Sequence, residues 1–176
     1  MNPAFRIRPA TMADAEMLAA LGARLFIEAY GPTHPEPELT PYLEHSFTSA
    51  IVAESLAAPG VVVLLVEDPD GAPIGYAHTR SNDAPFPEGV GGSRATEIER
   101  FYLDARWHGR GIADALMMAC CDTARTTGAD RVYLQVWQQA PRPIAFYRKA
   151  GFVIAGSATF RFGSRLDDDF LMLRLL

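Results

Sequence analysis

The chain opens with two hydrophobic patterns of different period. Apolar and basic side chains alternate over residues 5–8, as they do in a half-buried edge strand. A helix is predicted to follow Thr11, which can cap the first turn together with Asp14. Gly31 and Pro32 end this helix, whose apolar residues recur at helical spacing: Met17, Leu18, Leu21, Leu25 and Ala29.

The next segment changes from a loop to short helices and then to strands. Four prolines between Pro32 and Pro41 predict an irregular loop of the kind that often shapes a pocket. The pattern then predicts short helices at 42–47 and 48–58, a β-hairpin formed by 61–66 and 74–79, and a third strand at 97–103.

Helices and strands alternate in the rest of the chain. The predicted elements are a helix at 111–125, a strand at 131–137, a short helix at 143–149, and closing strands at 152–162 and 170–175. No internal repeat or linker interrupts this order. We therefore expect a single mixed α/β domain over residues 1–176.

Composition and charge narrow the class of partner. The 176 residues are 49% hydrophobic and 21% charged, which suits a folded domain and excludes intrinsic disorder. A net charge of −5 disfavours binding to nucleic acid. The longest aliphatic run, 61–66, is far shorter than the roughly 20 residues of a membrane-spanning helix. The expected partner is therefore a small or cationic molecule, neither a nucleic acid nor a membrane.

The two cysteines bear on the compartment. Cys120 and Cys121 are adjacent in a predicted helix, so their side chains point apart and cannot form a structural disulfide. Packing is the expected role of both thiols. Free cysteines, and an N-terminal segment without a secretory pattern, predict a reducing, cytoplasmic location.

Residues 97–113 combine a predicted strand, a basic turn and a helix that starts within a glycine pair. The first turn of a helix leaves backbone N–H groups without partners, and glycine lets an anion approach them closely. Arg106 and Arg110 would add charged donors. The segment is a candidate phosphate cradle, although the same pattern also fits a plain strand-to-helix turn with solvated arginines.

Two motifs in this half of the chain resemble those of the GCN5-related N-acetyltransferases, the GNAT family. Arg106, Gly109 and Gly111 match the motif Arg/Gln-x-x-Gly-x-Gly/Ala, and residues 144–152 match Ala-x-x-Phe-Tyr-x-x-x-Gly-Phe. The opening strand and helix and the closing strands look like the spermidine/spermine (polyamine) acetyltransferase branch. The resemblance implies the GNAT fold, with one mixed, mostly antiparallel central sheet flanked by helices.

The resemblance also implies acetyl-CoA as co-substrate and a small-molecule primary amine as acceptor, for which a polyamine is one candidate. We further expect no metal and a possible homodimer. The sequence departs from the family at Ala140, where an asparagine usually contacts the pantetheine arm, and at Pro143, usually alanine; Gln138 or Gln139 is then the candidate amide donor. The implied cofactor-binding residues are Phe101, Tyr102, Leu103, Arg106, His108, Gly109, Arg110, Gly111, Ile112, Ala113 and Tyr147.

Tyr147 is the candidate general acid. The resemblance implies that its phenol lies near the cofactor sulfur and protonates the departing thiolate. A thiol of pKa about 8.5 leaves more readily with a proton donor in hydrogen-bond reach. The alternative is a packing role, because Phe146 and Phe152 would form an aromatic cluster with the same ring.

Glu97 and Glu99 are candidate general bases. They alternate with Ile98 and Arg100, which predicts both carboxylates on one face of the strand. An amine of pKa about 10 must lose a proton before it attacks a thioester, and either carboxylate could accept it, directly or through water. The position nearer the turn favours Glu99. Each carboxylate could instead form a salt bridge with Arg94 or Arg100.

Other titratable residues carry weaker signals. The four histidines, at 34, 45, 78 and 108, lack metal-ligand spacing, so no metal site is predicted. The acidic run 167–169 predicts a solvated turn between the closing strands, which could also attract a polyamine.

Two classes of function fit these residues. The first is an enzyme that moves acetyl from acetyl-CoA directly to a primary amine, where the acceptor could also be a protein N-terminus, an amino acid or an antibiotic amine. The second is a non-catalytic CoA-binding sensor on the same fold. Tyr147 together with Glu97 and Glu99 favours the enzyme.

Overall fold

A computed structural model describes residues 5–34 and 36–176. Its centre is a seven-stranded sheet in the order β1-β2-β3-β4-β5-β7-β6, in which only the neighbours β4 and β5 run parallel. The strands are β1 (Arg6–Pro9), β2 (Val61–Glu67), β3 (Pro73–Asp83), β4 (Arg94–Leu103), β5 (Arg131–Trp137), β6 (Val153–Phe162) and β7 (Arg165–Leu175). This confirms the predicted mixed, mostly antiparallel sheet flanked by helices.

Five α-helices accompany the sheet in the described residues. They are α1 (Ala15–Tyr30), α2 (Leu39–Ser46), α3 (Ser49–Ala57), α4 (Ile112–Thr126) and α5 (Pro141–Lys149), with 3₁₀ turns at Met12–Asp14 and Ala105–Trp107. Over 5–34 and 36–176, none of these helices has both the length and the apolar character needed to cross a membrane.

The two faces of the sheet are covered by different helices. Val63 and Leu65 of β2 pack with α1 and α3, whereas Leu64 and Val66 of the same strand pack with α4. Alternate residues of a strand point to opposite faces, so a strand buried on both sides must be apolar throughout. This explains the unbroken aliphatic run at 61–66.

Strand β1 and helix α1 are tied together by the predicted cap. The Thr11 backbone N–H donates to Asp14 Oδ2 at 2.7 Å, and Arg8 of β1 donates to both oxygens of Asp14 at 2.9 Å. A single 3₁₀ turn precedes the α-helix, which therefore starts at Ala15 rather than directly after Thr11.

Several predicted boundaries were wrong by a few residues, for identifiable reasons. Helix α2 begins at Leu39 inside the expected proline loop, because Pro41 stands in its first turn, where a missing N–H costs nothing. Strand β3 ends at Asp83 rather than at 79, and β4 begins at Arg94 rather than at 97. There the polar side chains of Ser81 and Thr96 are buried and bond each other at 2.8 Å.

The acidic run 167–169 is not a solvated turn. Residues 165–175 form β7, and the connection from β6 lies earlier, at Gly163 and Ser164. Asp167 and Asp169 are 5% and 6% exposed, while Asp168 between them faces solvent. Period-two alternation in a strand thus turns two of the three carboxylates inward.

Two irregularities of β4 shape the centre of the molecule. Its registered pairs with β5 run from Thr96–Val132 to Ile98–Leu134, although both strands continue beyond that point. On its other edge, His78 of β3 pairs with Arg100 while Thr79 pairs with Ile98, so Glu99 is the extra residue of a β-bulge. The sheet therefore opens between β4 and β5 just where β4 bends.

Candidate active site

The turn between β4 and α4 has the geometry of an anion cradle. Gly109 and Gly111 adopt φ values of 75° and 77°, in the left-handed region that glycine occupies without strain. A Cβ atom built on either would meet no heavy atom within 4 Å, so the space in front of both is open. Gly111 is the N-cap of α4, whose first-turn N–H groups have no intrahelical acceptors.

Asp104 anchors this cradle, a role that the sequence analysis missed. Its buried carboxylate accepts from the Arg106 backbone N–H at 3.0 Å, from the Arg106 guanidinium at 2.7 Å and from Arg24 of α1 at 2.8 Å. The Arg106 hydrogen bonds hold the pKa of this carboxyl well below its usual range. The sequence signal that could have indicated this role is an Asp two residues before an Arg at the end of a strand, but the same pattern is common in ordinary turns.

The other predicted cofactor residues of the turn fall into two groups. Arg110 lies over the Trp107 ring with its Cζ 4.8 Å from the centroid, and His108 Nε2 lies 2.9 Å from the Leu103 carbonyl. Phe101, Leu103 and Ile112 pack their side chains into the core beneath α4, whereas Tyr102 packs on the opposite face.

Tyr147 lies on the α4 face of the sheet. Its side chain is 9% exposed, and its ring centroid lies 6.2 Å from that of Phe101, 5.4 Å from Phe146 and 5.9 Å from Phe152. Burial raises the pKa of the phenol above its ordinary value. The ring therefore packs in the aromatic cluster that the sequence predicted, and its hydroxyl stays protonated at neutral pH.

The other face of the sheet carries a cleft that opens beside β4 and β5. The cleft holds about 200 Å³. Four carboxylates line it, those of Glu97, Glu99, Asp167 and Asp169. Its apolar wall is aromatic and comes from α1, α2, β4, β5 and β6: Phe26, Tyr30, Tyr42, Tyr102, Trp137, Phe160 and Phe162. Carboxylates and aromatic faces both attract cations.

Glu97 and Glu99 line this one cleft, but in different environments. Glu97 Oε2 accepts from the Tyr133 hydroxyl at 3.0 Å, and burial raises the pKa of Glu97. Burial acts on Glu99 in the same direction, yet His78 at 2.9 Å and Arg80 at 2.6 Å lower the pKa of Glu99 to about 2. Glu97 is thus the stronger base. The salt bridge that the sequence offered as an alternative role for each carboxylate is present at Glu99, and its partners lie on β3.

Asp167 and Asp169 close the far wall of the cleft. Asp167 lies 2.9 Å from His34 Nε2 and accepts from Arg165 Nε at 2.6 Å. Burial, reinforced by the neighbouring carboxylates, raises the pKa of Asp169 to about 6. Neither residue had been expected inside, since an acidic triplet in sequence is typical of a surface turn.

The start of α5 carries alanine at position 140, where an asparagine was expected. Ala140 is the N-cap, and its carbonyl accepts from the Ile144 N–H at 3.2 Å. Pro141 and Pro143 fit the first turn, where their missing N–H groups are not needed. The Gln138 side chain donates to the Asp169 carbonyl at 3.3 Å. The side chain of Gln139, the other candidate amide, makes no hydrogen bond within the described residues.

The remaining predicted features are structural. Cys120 and Cys121 are buried in α4, and burial raises the pKa of both thiols. Over residues 5–34 and 36–176 no group of three His, Cys, Asp or Glu side chains is arranged to hold a metal ion.

Comparison with known proteins identifies the family. Residues 23–152 match the model of the acetyltransferase (GNAT) family. An uncharacterized N-acetyltransferase of Mycobacterium tuberculosis is 36% identical over 165 residues, which cover 94% of this chain and 99% of the relative. Glucosamine 6-phosphate N-acetyltransferase 1 of Oryza sativa is 30% identical over 152 residues, covering 85% of this chain and 82% of the relative. The chain therefore belongs to the GNAT family of acetyltransferases.

Solved structures share its fold at low identity. The PaiA N-acetyltransferase of Thermoplasma acidophilum, solved with coenzyme A, superposes with a TM-score of 0.78 at 18% identity over 98% of this chain and 99% of that one. The spermidine/spermine N-acetyltransferase SpeG of Vibrio cholerae, solved in mutant forms, gives 0.66 at 19% identity over 99% of this chain and 95% of that one. Both comparisons support the fold.

Proposed function

We propose that this protein transfers the acetyl group of acetyl-CoA to a small primary amine. The observation that carries the proposal is the opening between β4 and β5. It lies between a glycine cradle with Tyr147 on the α4 face and an acidic, aromatic cleft on the other face. A thioester held in that opening would be accessible to an amine from the cleft.

The cradle fits the phosphate-rich end of CoA. Positive φ values at Gly109 and Gly111, with open space in front of both, leave the N–H groups of the α4 N-terminus free to bind a pyrophosphate. Arg110, with no carboxylate at salt-bridge distance in the described chain, supplies a charged donor. Arg106 forms an ion pair with Asp104. We therefore assign Arg106 two roles: it holds the turn in place, and it adds positive charge to the electrostatic field at the cradle.

The cleft fits a cationic amine. Its carboxylates attract the ammonium form, and its aromatic rings accept the attached carbon chain. A polyamine is one class of acceptor with these properties, and SpeG, a fold neighbour, is named for it. A glycosamine phosphate is another, since the relative from rice is named for that substrate.

Glu97 and Tyr147 are the residues we assign to proton transfer. Glu97 accepts a proton from the bound ammonium, directly or through water, and frees the nitrogen lone pair to form the new C–N bond. Tyr147 gives its proton to the sulfur as the C–S bond breaks. Glu99, held ionised by His78 and Arg80, keeps a negative charge beside the incoming amine. Holding the reactants together supplies most of the rate, and each proton transfer adds about 10².

A thiol-release assay with acetyl-CoA tests this function. We expect release of CoA with at least one of spermidine, glucosamine 6-phosphate, an amino acid and a short peptide. Glu97→Gln should lower kcat about 10²-fold, whereas the exposed Glu88→Gln should leave it unchanged. Binding of CoA without turnover of any amine would contradict the proposal and favour a sensor.

A further inference from the structure

The bulge at Glu99 places Arg100 on an unexpected face of β4. Residues paired across two strands share a face, and His78 and Arg80 of β3 are two positions apart, so they share one as well. Arg100 pairs with His78, and Glu97 pairs with Arg80. Simple alternation would have separated Arg100 from Glu97. Instead Arg100 lines the same cleft.

Arg100 differs from the other arginines around the cleft in having no carboxylate partner. Arg80 lies 2.6 Å from Glu99, and Arg165 lies 2.6 Å from Asp167. Arg100 is half-buried, yet within 5–34 and 36–176 no carboxylate comes within salt-bridge distance of it. Its Cζ stacks 4.5 Å above the Phe47 ring, and its Nη2 donates to the Ser46 carbonyl at 3.4 Å. A partly buried charge without a counter-ion is costly, and a bound anion would offset that cost.

Two cavities meet at this guanidinium. One is the acidic cleft, and the other is a cavity of about 390 Å³ beneath α3. Glu99 and Arg100 line both. The α3 cavity is lined by apolar residues, among them Leu18, Ile51, Val52 and Val63, and by polar or charged ones, among them Glu54, Ser55, His78 and Arg80. A ligand with its amine in the cleft thus has room for a substituent at Arg100.

Charged groups of both signs line the two cavities. Asp167 and Asp169 lie at the β7 side of the cleft, and Arg100 lies at the α3 side. The charge of Glu99, the carboxylate next to Arg100 in sequence, is balanced by Arg80 at 2.6 Å. A second ammonium group would meet Arg100 directly and be repelled, whereas an anionic group would be attracted.

We propose that the acceptor carries an anionic group, a carboxylate or a phosphate, which pairs with Arg100 while its amine lies among the carboxylates of the cleft. The inference rests on the proposed function and narrows its substrate class. Amino acids, peptides with a free carboxylate near the amine, and amino-sugar phosphates belong to this class, and polyamines do not. A guanidinium bonds carboxylate or phosphate through two parallel N–H groups, so Arg100 would also orient the acceptor.

Matched pairs of acceptors test the proposal. Leucine against leucinamide, and glucosamine 6-phosphate against glucosamine, differ chiefly in the anionic group. For wild type we expect kcat/KM to favour the anionic member of at least one pair about 10²-fold, and which pair does so distinguishes a carboxylate from a phosphate. Arg100→Gln should lower kcat/KM for that member about 10²-fold and change the neutral member less than about threefold. Arg100→Lys should restore part of the loss, and Arg6→Gln, an exposed arginine of β1, is the control.

Calorimetric titration of the same pairs into the CoA-saturated protein separates this inference from the proposed function. Arg100-dependent binding of an anionic amine without turnover would uphold the substrate-binding inference and overturn the catalytic proposal. Equal binding and turnover of both members of each pair, a preference for spermidine, or equal losses for both members in Arg100→Gln would overturn the inference and leave acetyl transfer intact.

Discussion

The two sides of the opening between β4 and β5 are built from different parts of the chain. On the α4 side, the cradle consists mainly of backbone from one continuous segment, the turn from Asp104 to Gly111. On the cleft side, side chains converge from α1, α2 and strands β4 to β7. A site made of local backbone needs glycines at fixed spacing, whereas a site made of distant side chains needs only that the fold bring them together. The first can be shared by a whole family, and the second can differ in each member.

Their electrostatics differ in the same way. The cradle offers helix N–H groups and Arg110, all of them donors suited to a polyanion. The cleft combines four carboxylates with Arg100, so it contains groups of both signs a short way apart. The proposed cofactor site is therefore general for phosphate, and the acceptor site is selective for a charge pattern. Three variants test this contrast.

The largest effect is expected at the cradle. Gly111→Glu would place a side chain and a negative charge in the open space before α4, at a position where φ is 77°. An uncompensated charge in a binding site costs about 4 kcal/mol, so the Kd for CoA should rise about 10³-fold in calorimetry.

Gly128→Glu is the matched control for that substitution. Gly128 lies at the opposite end of α4, with φ of 80°, so the substitution brings the same backbone strain and the same charge. Its CoA affinity should stay within about threefold of wild type. Equal losses in the two variants would mean that strain, not occupation of the cradle, weakens binding.

A smaller effect is expected at Tyr147, on the same side. Tyr147→Phe keeps the ring among Phe101, Phe146 and Phe152 and removes only the hydroxyl. CoA affinity and thermal stability should change little, while kcat falls about 10²-fold if general acid catalysis is lost. Because burial raises the pKa of Tyr147, wild-type kcat should show no decline from loss of this proton up to pH 10. An unchanged kcat, with chemistry rate-limiting, would leave Tyr147 a packing residue only.

The smallest effect is expected at the acidic wall of the cleft. The pKa of Asp169 is about 6, so an amine should bind more tightly as pH rises through 6 and the carboxyl ionises. Asp169→Asn should remove this limb from the pH profile of kcat/KM and raise KM about tenfold at pH 8.

The same substitution should make the protein more stable. The pKa of this carboxyl is higher in the folded protein than its unfolded value of about 3.9, so the folded state binds the proton more tightly. The contribution of the carboxyl to stability therefore falls as pH rises from 4 to 6 and stays low above pH 6. Asp169→Asn should therefore raise the free energy of unfolding by about 3 kcal/mol at pH 8, and the exposed Asp168→Asn should not. A loss of stability in Asp169→Asn would indicate that the carboxylate makes favourable contacts when folded.

The sequence by itself predicted the strands, the helices and the glycine turn of the cradle. Helix α1 follows from apolar residues at helical spacing, and strand β2 from the unbroken aliphatic run Val61–Val66. The Gly109 and Gly111 spacing was readable because only glycine takes those φ values without strain. Phe146 and Phe152, two aromatic neighbours of Tyr147, lie within a few residues of it in the chain, so proximity in sequence predicted proximity in space.

Only the tertiary structure decided the acceptor side. The partners of Glu99 come from β3, and Asp167 meets His34 across the molecule. No periodicity links such distant positions. Arg100 shows most clearly what the sequence pattern alone does not predict. Strict alternation would place Arg100 and Glu97 on different faces of the sheet, but the extra residue of the bulge, Glu99, brings them to the same face. A bulge depends on how two strands pair, and pairing is a property of the folded sheet, not of either strand alone.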